Sequence, residues 1–312
     1  MELQLKFKFP KSNIELSYAD SVLLMGSCFS DSIGAKFEQG GFKIESNIFG
    51  TLFHPIAISN VIHSALNCNE DVAVYQRDDL YFSWDSASKI YATSVIKLIE
   101  KVIEKRQELA ERIKNARLIC ITLGTAWEYK IISSGVVVGN CHKAPQNLFE
   151  KSMSKIDKMQ KEWESALNLI KNVNPSAKIV FTVSPVRHVK DGLVENNRSK
   201  ARLLELVQQL SVSHNIIYFP SYEIVIDQLR DYRFFEEDMI HPNKQTIDFI
   251  WERFAAFGFS DKTIGLMEER KQLMMQLNHK SLHSESEVDA KRLDLVKRKL
   301  KEFGESNPDV DL

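Results

Sequence analysis

Long apolar runs are missing from these 312 residues: the longest, residues 22–25 and 118–123, are strand-sized against the roughly 20 residues of a membrane span. No membrane crossing is expected. Excess charge of one sign is missing too, since Lys and Arg number 41 and Asp and Glu 42, a net of −1. A chain so balanced lacks the positive surface that phosphate-backbone binding requires, which excludes nucleic acid as the main partner. Cysteines are few and scattered, at Cys28, Cys68, Cys120 and Cys141, with no CxxC pair or zinc-knuckle spacing. That scatter predicts a reducing compartment, with Cys68 and Cys120 as small buried hydrophobes. The eight His are dispersed, so no metal site is expected, and no GxxxxGK[ST] or GxGxxG follows any strand, so no nucleotide cofactor is expected either. Residues 1–13 alternate apolar and basic side chains and lack the apolar block and cleavage site of a secretory signal. The expected location is therefore the cytoplasm.

What is present is a composition that fills a core, 44% hydrophobic and 27% charged. Strand and helix signals alternate along it. SVLLM at 21–25 ends at Gly26, residues 29–39 read as a helix stopped by Gly40-Gly41, and 42–45 read as a second strand. Residues 71–92 offer a hairpin turning at Asp78-Asp79. Ile96, Ile99, Ile103, Ala110 and Ile113 recur at helical spacing before the strand LICITL at 118–123. A second hairpin turning at Ser133-Ser134-Gly135 returns the polar group Asn140-Cys141-His142-Lys143. KIVFTV at 178–183 and residues 216–219 give two more strands, each preceded by an amphipathic helix. On the last crisp helix, 244–257, Ile247, Ile250, Trp251, Phe254 and Phe257 share one face.

Five short apolar strands separated by helices predict a three-layer α/β fold, flavodoxin-like, with a parallel five-stranded sheet, hairpin insertions and a helical C-terminal tail. Ligands of such sheets bind at the carboxyl ends of the strands. The predicted organisation is one α/β domain over 1–260 and a charged helical extension over 261–312, where 19 of the last 50 residues are charged. Its interrupted apolar positions, among them Leu266, Leu273, Val296 and Leu300, fit either a loosely packed solvated extension or a short coiled coil forming a homodimer.

Ser27 lies where the first strand gives way to a helix, the place a nucleophile needs to be, and also the place of an ordinary N-cap. Asp238 and His241, three residues apart on one turn, can let the carboxylate hold one imidazole nitrogen while the other faces a nucleophile. Pro242 restricts His241 to extended backbone. A solvent-facing Asp beside a helix-start His remains the alternative. Cys28 could instead be a thiol nucleophile, but adjacent side chains on a turn point apart.

In combination, GSCFS at 26–30, ITLGTAWEY at 121–129, NCHK at 140–143, FTVSPVRH at 181–188 and LRDYRFFEEDMIHP at 229–242 resemble the bacterial GSCFA family, which is placed with the SGNH or GDSL-type hydrolases. The resemblance runs from about residue 20 to 257 and implies a serine acyl-ester hydrolase, with Ser27, Asp238 and His241 as the triad and no cofactor. It also implies an oxyanion hole of three donors: the Ser27 amide, a Gly after the second strand, for which Gly50 fits, and an Asn in a GxND motif after the third. Ala126 stands where that Asn would be. Asn140, returned by the hairpin, is the expected substitute, with His142 or Thr125 behind it; a turn role for Asn140 is the alternative.

Arg187, in the SPVRH segment with His188, is placed to bind an acidic group on the substrate or to form a structural ion pair. Trp127, with Trp84, Tyr129 and Tyr81, can stack on a sugar ring or pack on the core. Trp127, His142, Arg187 and His188 are thus the substrate-binding candidates, and a small-molecule or glycan ester is the expected partner. Transfer of the acyl group to a sugar hydroxyl, and a catalytically idle binding module, are the competing functions.

Overall fold

The computed structural model describes residues 7–8, 11–279 and 286–312; residues 1–6 and 9–10 of the alternating N-terminal stretch lie outside it. All five residues of β1 (Val22–Gly26) are buried. Successive strand side chains point to opposite faces, so Leu23 and Met25 enter one core while Val22 and Leu24 enter the other. β2 (Ile44–Ser46) pairs with β1 at one edge of the main sheet.

Two insertions interrupt this sheet's sequence. β3 (Val74–Arg77), β4 (Leu80–Ser83) and β5 (Tyr91–Ala92) form an antiparallel sheet of three strands, one more than the expected hairpin. β6 (Leu118–Leu123) is again a main-sheet strand, sending Ile119, Ile121 and Leu123 to the first core and Leu118 and Cys120 to the second. β7 (Trp127–Ile131) then pairs antiparallel with β8 (Phe149–Met153). The expected return after Ser133 survives as two backbone bonds, Ile131 N–H to Val136 O and Val138 N–H to Tyr129 O, both 2.9 Å, but the regular partner of β7 is β8. β9 (Lys178–Val183) and β10 (Ile217–Tyr218) complete the main sheet.

Its order is β10-β9-β6-β1-β2, parallel throughout. From β1 the chain steps outward to β2 and then returns to the other side of β1 as β6. The gap between the carboxyl ends of β1 and β6 is therefore a topological switch point, where a crevice opens. Helices α2 (Pro55–Leu66), α3 (Val95–Asn115), α4 (Ile156–Val173) and α5 (Leu193–Ser213) close the first core. On the other face lie α1 (Cys28–Gln39), the short α6 (Ser221–Glu223) with a π-helical turn after it, and α7 (Lys244–Gly258). The expected α7 face holds, with Ile247, Ile250, Phe254 and Phe257 buried.

Three local expectations change. Ile96 is 70% exposed, and the buried stripe of α3 is Leu98, Val102, Arg106, Leu109, Ala110 and Ile113, which keeps the expected Ala110 and Ile113 but has a buried arginine in its middle. Cys68 is exposed, on a left-handed residue just past α2, whereas Cys120 is buried as expected and burial pushes its thiol up to about 12. The tail forms α8 (Asp261–Asn278) and α9 (Glu287–Ser306), whose Leu273, Val296, Leu300 and Phe303 join the second core. Arg270 ties it down by donating to Gln39 O at 2.6 Å, and Asp311 N–H donates to Gly41 O at 2.8 Å. Among the described residues no helix is long and apolar enough to cross a membrane.

Candidate active site

At the end of β1 the chain must turn sharply against β6. Gly26 does so at φ +130°, where a Cβ would sit 2.1 Å from the Thr122 carbonyl oxygen, so only glycine fits. Asn47 Oδ1 accepts from the Gly26 N–H at 2.8 Å and fixes the strand end. Ser27 follows as the N-cap of α1: extended backbone, N–H donated to Thr122 O at 3.0 Å, and Oγ accepting from the Phe29 N–H at 3.3 Å. It has no exposed surface. Cys28, the first helical residue, is half-buried and lines a cleft of about 380 Å³.

The opposite wall carries the DxxH turn. Asp238 Oδ1 accepts from the Ile240 and His241 amides at 2.8 and 3.0 Å, while Oδ2 lies 2.6 Å from His241 Nδ1. One carboxylate thus shapes the turn and holds the ring. With Nδ1–H donating to Asp238, the lone pair of the neutral ring sits on Nε2. The ring's hydrogen bond, helped by the two amides, holds the Asp238 carboxyl down at about 2. Met239 adopts φ 59° in the middle of the turn. Arg187 braces it, donating to Met239 O at 2.8 Å and stacking its guanidinium over the Phe235 ring at 3.9 Å.

Aromatic residues line the side of the cleft. Trp127 and Tyr129, on β7, stand with the Lys151 ammonium over both rings at 4.9 and 5.5 Å, and Lys151 pairs with Asp191. Trp127 Nε1 and His188 Nε2 are buried ring nitrogens of cleft residues with no protein hydrogen-bond partner. Burial, aided by the charges of Lys200 and His241, lowers His188 to about 4 and keeps it neutral. Beneath the floor, fully buried Lys200 donates to Gly124 O and Ser184 O, both at 2.7 Å, clamping the loops after β6 and β9 together. Its neighbour Ser199 accepts from the Ala126 N–H at 2.7 Å. Burial pulls Lys200 down to about 7.

Of the residues predicted from sequence, Thr125, Trp127, Tyr129, Arg187, His188 and His241 line this cleft, and Asp238 holds the His241 ring. Others go elsewhere. Gly50 donates its N–H to Asn47 O at 2.6 Å, and the Ser27 N–H is taken by Thr122, so neither expected amide is free for an oxyanion. Asn140 Oδ1 accepts from the His142 N–H at 2.8 Å and from Ser88 Oγ at 3.3 Å, a turn role. His142 is fully buried, bonded to Ser83 O at 2.8 Å and stacked on Phe82, and so supports the insertion rather than a substrate. Trp84 is buried against Tyr75 and Phe149. Sequence reasoning missed Lys151, Asp191 and Lys200, which are single charged residues without a motif. A roomier groove of about 880 Å³ between α1, α7 and α8 has no histidine or cysteine in its lining, so size alone does not select the site.

The GSCFA family model matches residues 21–254, spanning every element that builds the cleft. No curated protein matches the chain. Among solved structures, the chain is similar to a carbohydrate esterase family 3 protein from Talaromyces cellulolyticus, at 10% identity and a TM-score of 0.36, covering 80% of this chain and 99% of that one. It is similar also to a family 3 carbohydrate esterase from Clostridium thermocellum, at 10% identity and a TM-score of 0.34, covering 80% and 98%. Likenesses this distant assign no residue and no substrate here, and the fold rests on the sheet order itself.

Proposed function

The chain belongs to the GSCFA family, and from that premise we propose that it cleaves small acyl esters, on a carbohydrate or a similar polyol, through a covalent acyl-enzyme. The observation that carries this reading is the 2.6 Å contact between His241 Nδ1 and Asp238 Oδ2 at the wall of a cleft that also holds a nucleophilic side chain. His241 Nε2 takes the proton of the nucleophile at the start of α1 as it attacks the ester carbonyl, and Asp238 stabilises the imidazolium that forms. The same ring returns the proton to the leaving alcohol and then activates water. Trp127 and Tyr129, which line the cleft, are the aromatic residues that a sugar ring would pack against.

The test is a panel of acetylated sugars and short-chain p-nitrophenyl esters, with wild-type, His241→Ala and Asp238→Asn proteins compared. Loss of the base is expected to lower kcat by about 100-fold or more, and loss of the carboxylate charge by a smaller factor. A second reading, a binding module on the same fold, is favoured by the occupied amides of Ser27 and Gly50. No turnover on any ester would favour that second reading, and turnover unaffected by His241→Ala would overturn the role of His241 as base.

A further inference from the structure

We infer that Cys28, and not Ser27, is the nucleophile of this cleft, so that the acyl-enzyme is a thioester; the inference rests on the reading of the cleft as an acyl-transfer site. Adjacent residues at a strand-to-helix turn point apart, so only one of the pair can face the substrate. Ser27 has no exposed surface, and its Oγ is committed to the Phe29 amide inside the turn. A reacting carbonyl must come within about 3–3.5 Å of its nucleophile, and no substrate reaches an atom with no accessible surface that closely. Cys28 lines the same cleft as His241.

The second observation concerns the oxyanion. The Ser27 N–H is spent on Thr122 O, as it must be to continue the β1–β6 ladder. The Cys28 N–H sits at the first position of α1, where no intrahelical acceptor exists and the helix dipole favours negative charge. An oxyanion formed by attack from Cys28 Sγ therefore has a free amide on the attacking residue itself. A third observation is the buried Lys200 ammonium, whose field reaches Cys28 from below. Burial and the Asp31 carboxylate together outweigh the Cys28 and Phe29 amides and Lys200, and raise the thiol above its usual range. A thiol so held keeps its proton near neutral pH and needs a base, which is the part His241 plays.

The step balances as follows. His241 Nε2 takes the Cys28 proton as Sγ bonds to the carbonyl carbon and the carbonyl electron pair moves to oxygen. Collapse of that intermediate breaks the bond to the alcohol oxygen, which leaves with the proton from His241, and Cys28 is left as its thioester. Water then attacks the thioester and gives a proton to His241; the bond between the carbonyl carbon and Sγ breaks, the acid leaves, and His241 returns the proton to Sγ as the thiol re-forms.

The deciding experiment reacts the full-length wild-type protein with an acyl ester that it turns over, quenches in acid and maps the adduct by peptide mass spectrometry. The acyl group is expected on Cys28, released by neutral hydroxylamine as thioesters are, and absent from His241→Ala. Cys28→Ala is expected to lose about 100-fold or more in kcat with its melting temperature retained. Where no adduct accumulates, that loss with a retained fold supports the inference, and retained turnover overturns it. An adduct on Ser27 that resists hydroxylamine and persists in Cys28→Ala overturns Cys28 but leaves the acyl-ester reading standing. No adduct on either residue, with turnover indifferent to His241→Ala, overturns both.

Discussion

Arg187 donates a guanidinium N–H to the Met239 carbonyl and lies on the Phe235 ring, so it holds the turn that carries Asp238 and His241. Replacing it with alanine frees a turn already strained at Met239. The expected outcome is a kcat lower by about tenfold with KM changed less than about threefold, because imprecise positioning affects the transition state more than binding. Arg187→Lys restores part of the loss by donating one hydrogen bond. If Arg187 instead clasped an acidic substrate group, steady-state kinetics would show KM rising while kcat held. At this scale the Asp238–His241 contact was legible, since a DxxH before proline leaves few ways to point two side chains. Which of Ser27 and Cys28 faces the cleft was not. That choice turns on which residue is the cap and which is the first of the helix, a register of one position that composition does not encode.

The insertion around β3, β4 and β5 is held to the rest of the chain by His142, whose Nδ1 lies 3.1 Å from Ser88 Oγ and whose Nε2 lies 2.8 Å from Ser83 O. Burial lowers its pKa and favours the neutral ring that these contacts need. His142→Ala leaves buried polar partners unmatched and a void beside Phe82, and is expected to cost about 2–4 kcal/mol. Thermal melting measures that cost; kcat and KM on the best ester are expected to stay within about threefold of wild type, and a large KM rise would return His142 to the substrate. The residue looked functional in sequence because a polar group at the end of a hairpin is as consistent with a site as with a clasp. The same ambiguity moved the apolar face of α3. Arg106, 3% exposed and bonded to Asn69 O, Asp71 O and the Asp85 carboxylate, occupies a core position that no hydrophobic pattern reveals. The main-sheet strands were legible because burial on both faces makes them short uninterrupted apolar runs.

Over the whole molecule the two cores flank one sheet, and the charged tail belongs to the second core through one side of each helix, a pattern diluted in sequence by the charges on the other sides. Set against those cores, two histidines make stability depend on pH. His54 caps α2, with Nδ1 accepting from the Ile56 N–H at 3.2 Å and Nε2 facing Ser154 Oγ at 3.0 Å, and burial lowers it to about 4. His188 is lowered to about 4 as well. Both have folded values below the unfolded one, so the unfolded chain takes up protons first as pH falls through 6.5, and the folded state loses ground until both states are protonated near pH 4. At about 1.4 kcal/mol per unit, each histidine contributes on the order of 3 kcal/mol at neutral pH that is gone at pH 4. Lys200, held near 7, is protonated in both states below that range and adds nothing to this slope. With roughly 2 °C of melting temperature per kcal/mol in a chain of this size, the midpoint is expected to fall about 10 °C between pH 6.5 and 4.5. His54→Asn keeps an acceptor for the Ile56 amide and removes the titrating ring, so its melting curve should lose about half of that fall, with His188→Asn removing most of the rest. A pH slope unchanged in both variants would mean that neither ring is held neutral by the fold.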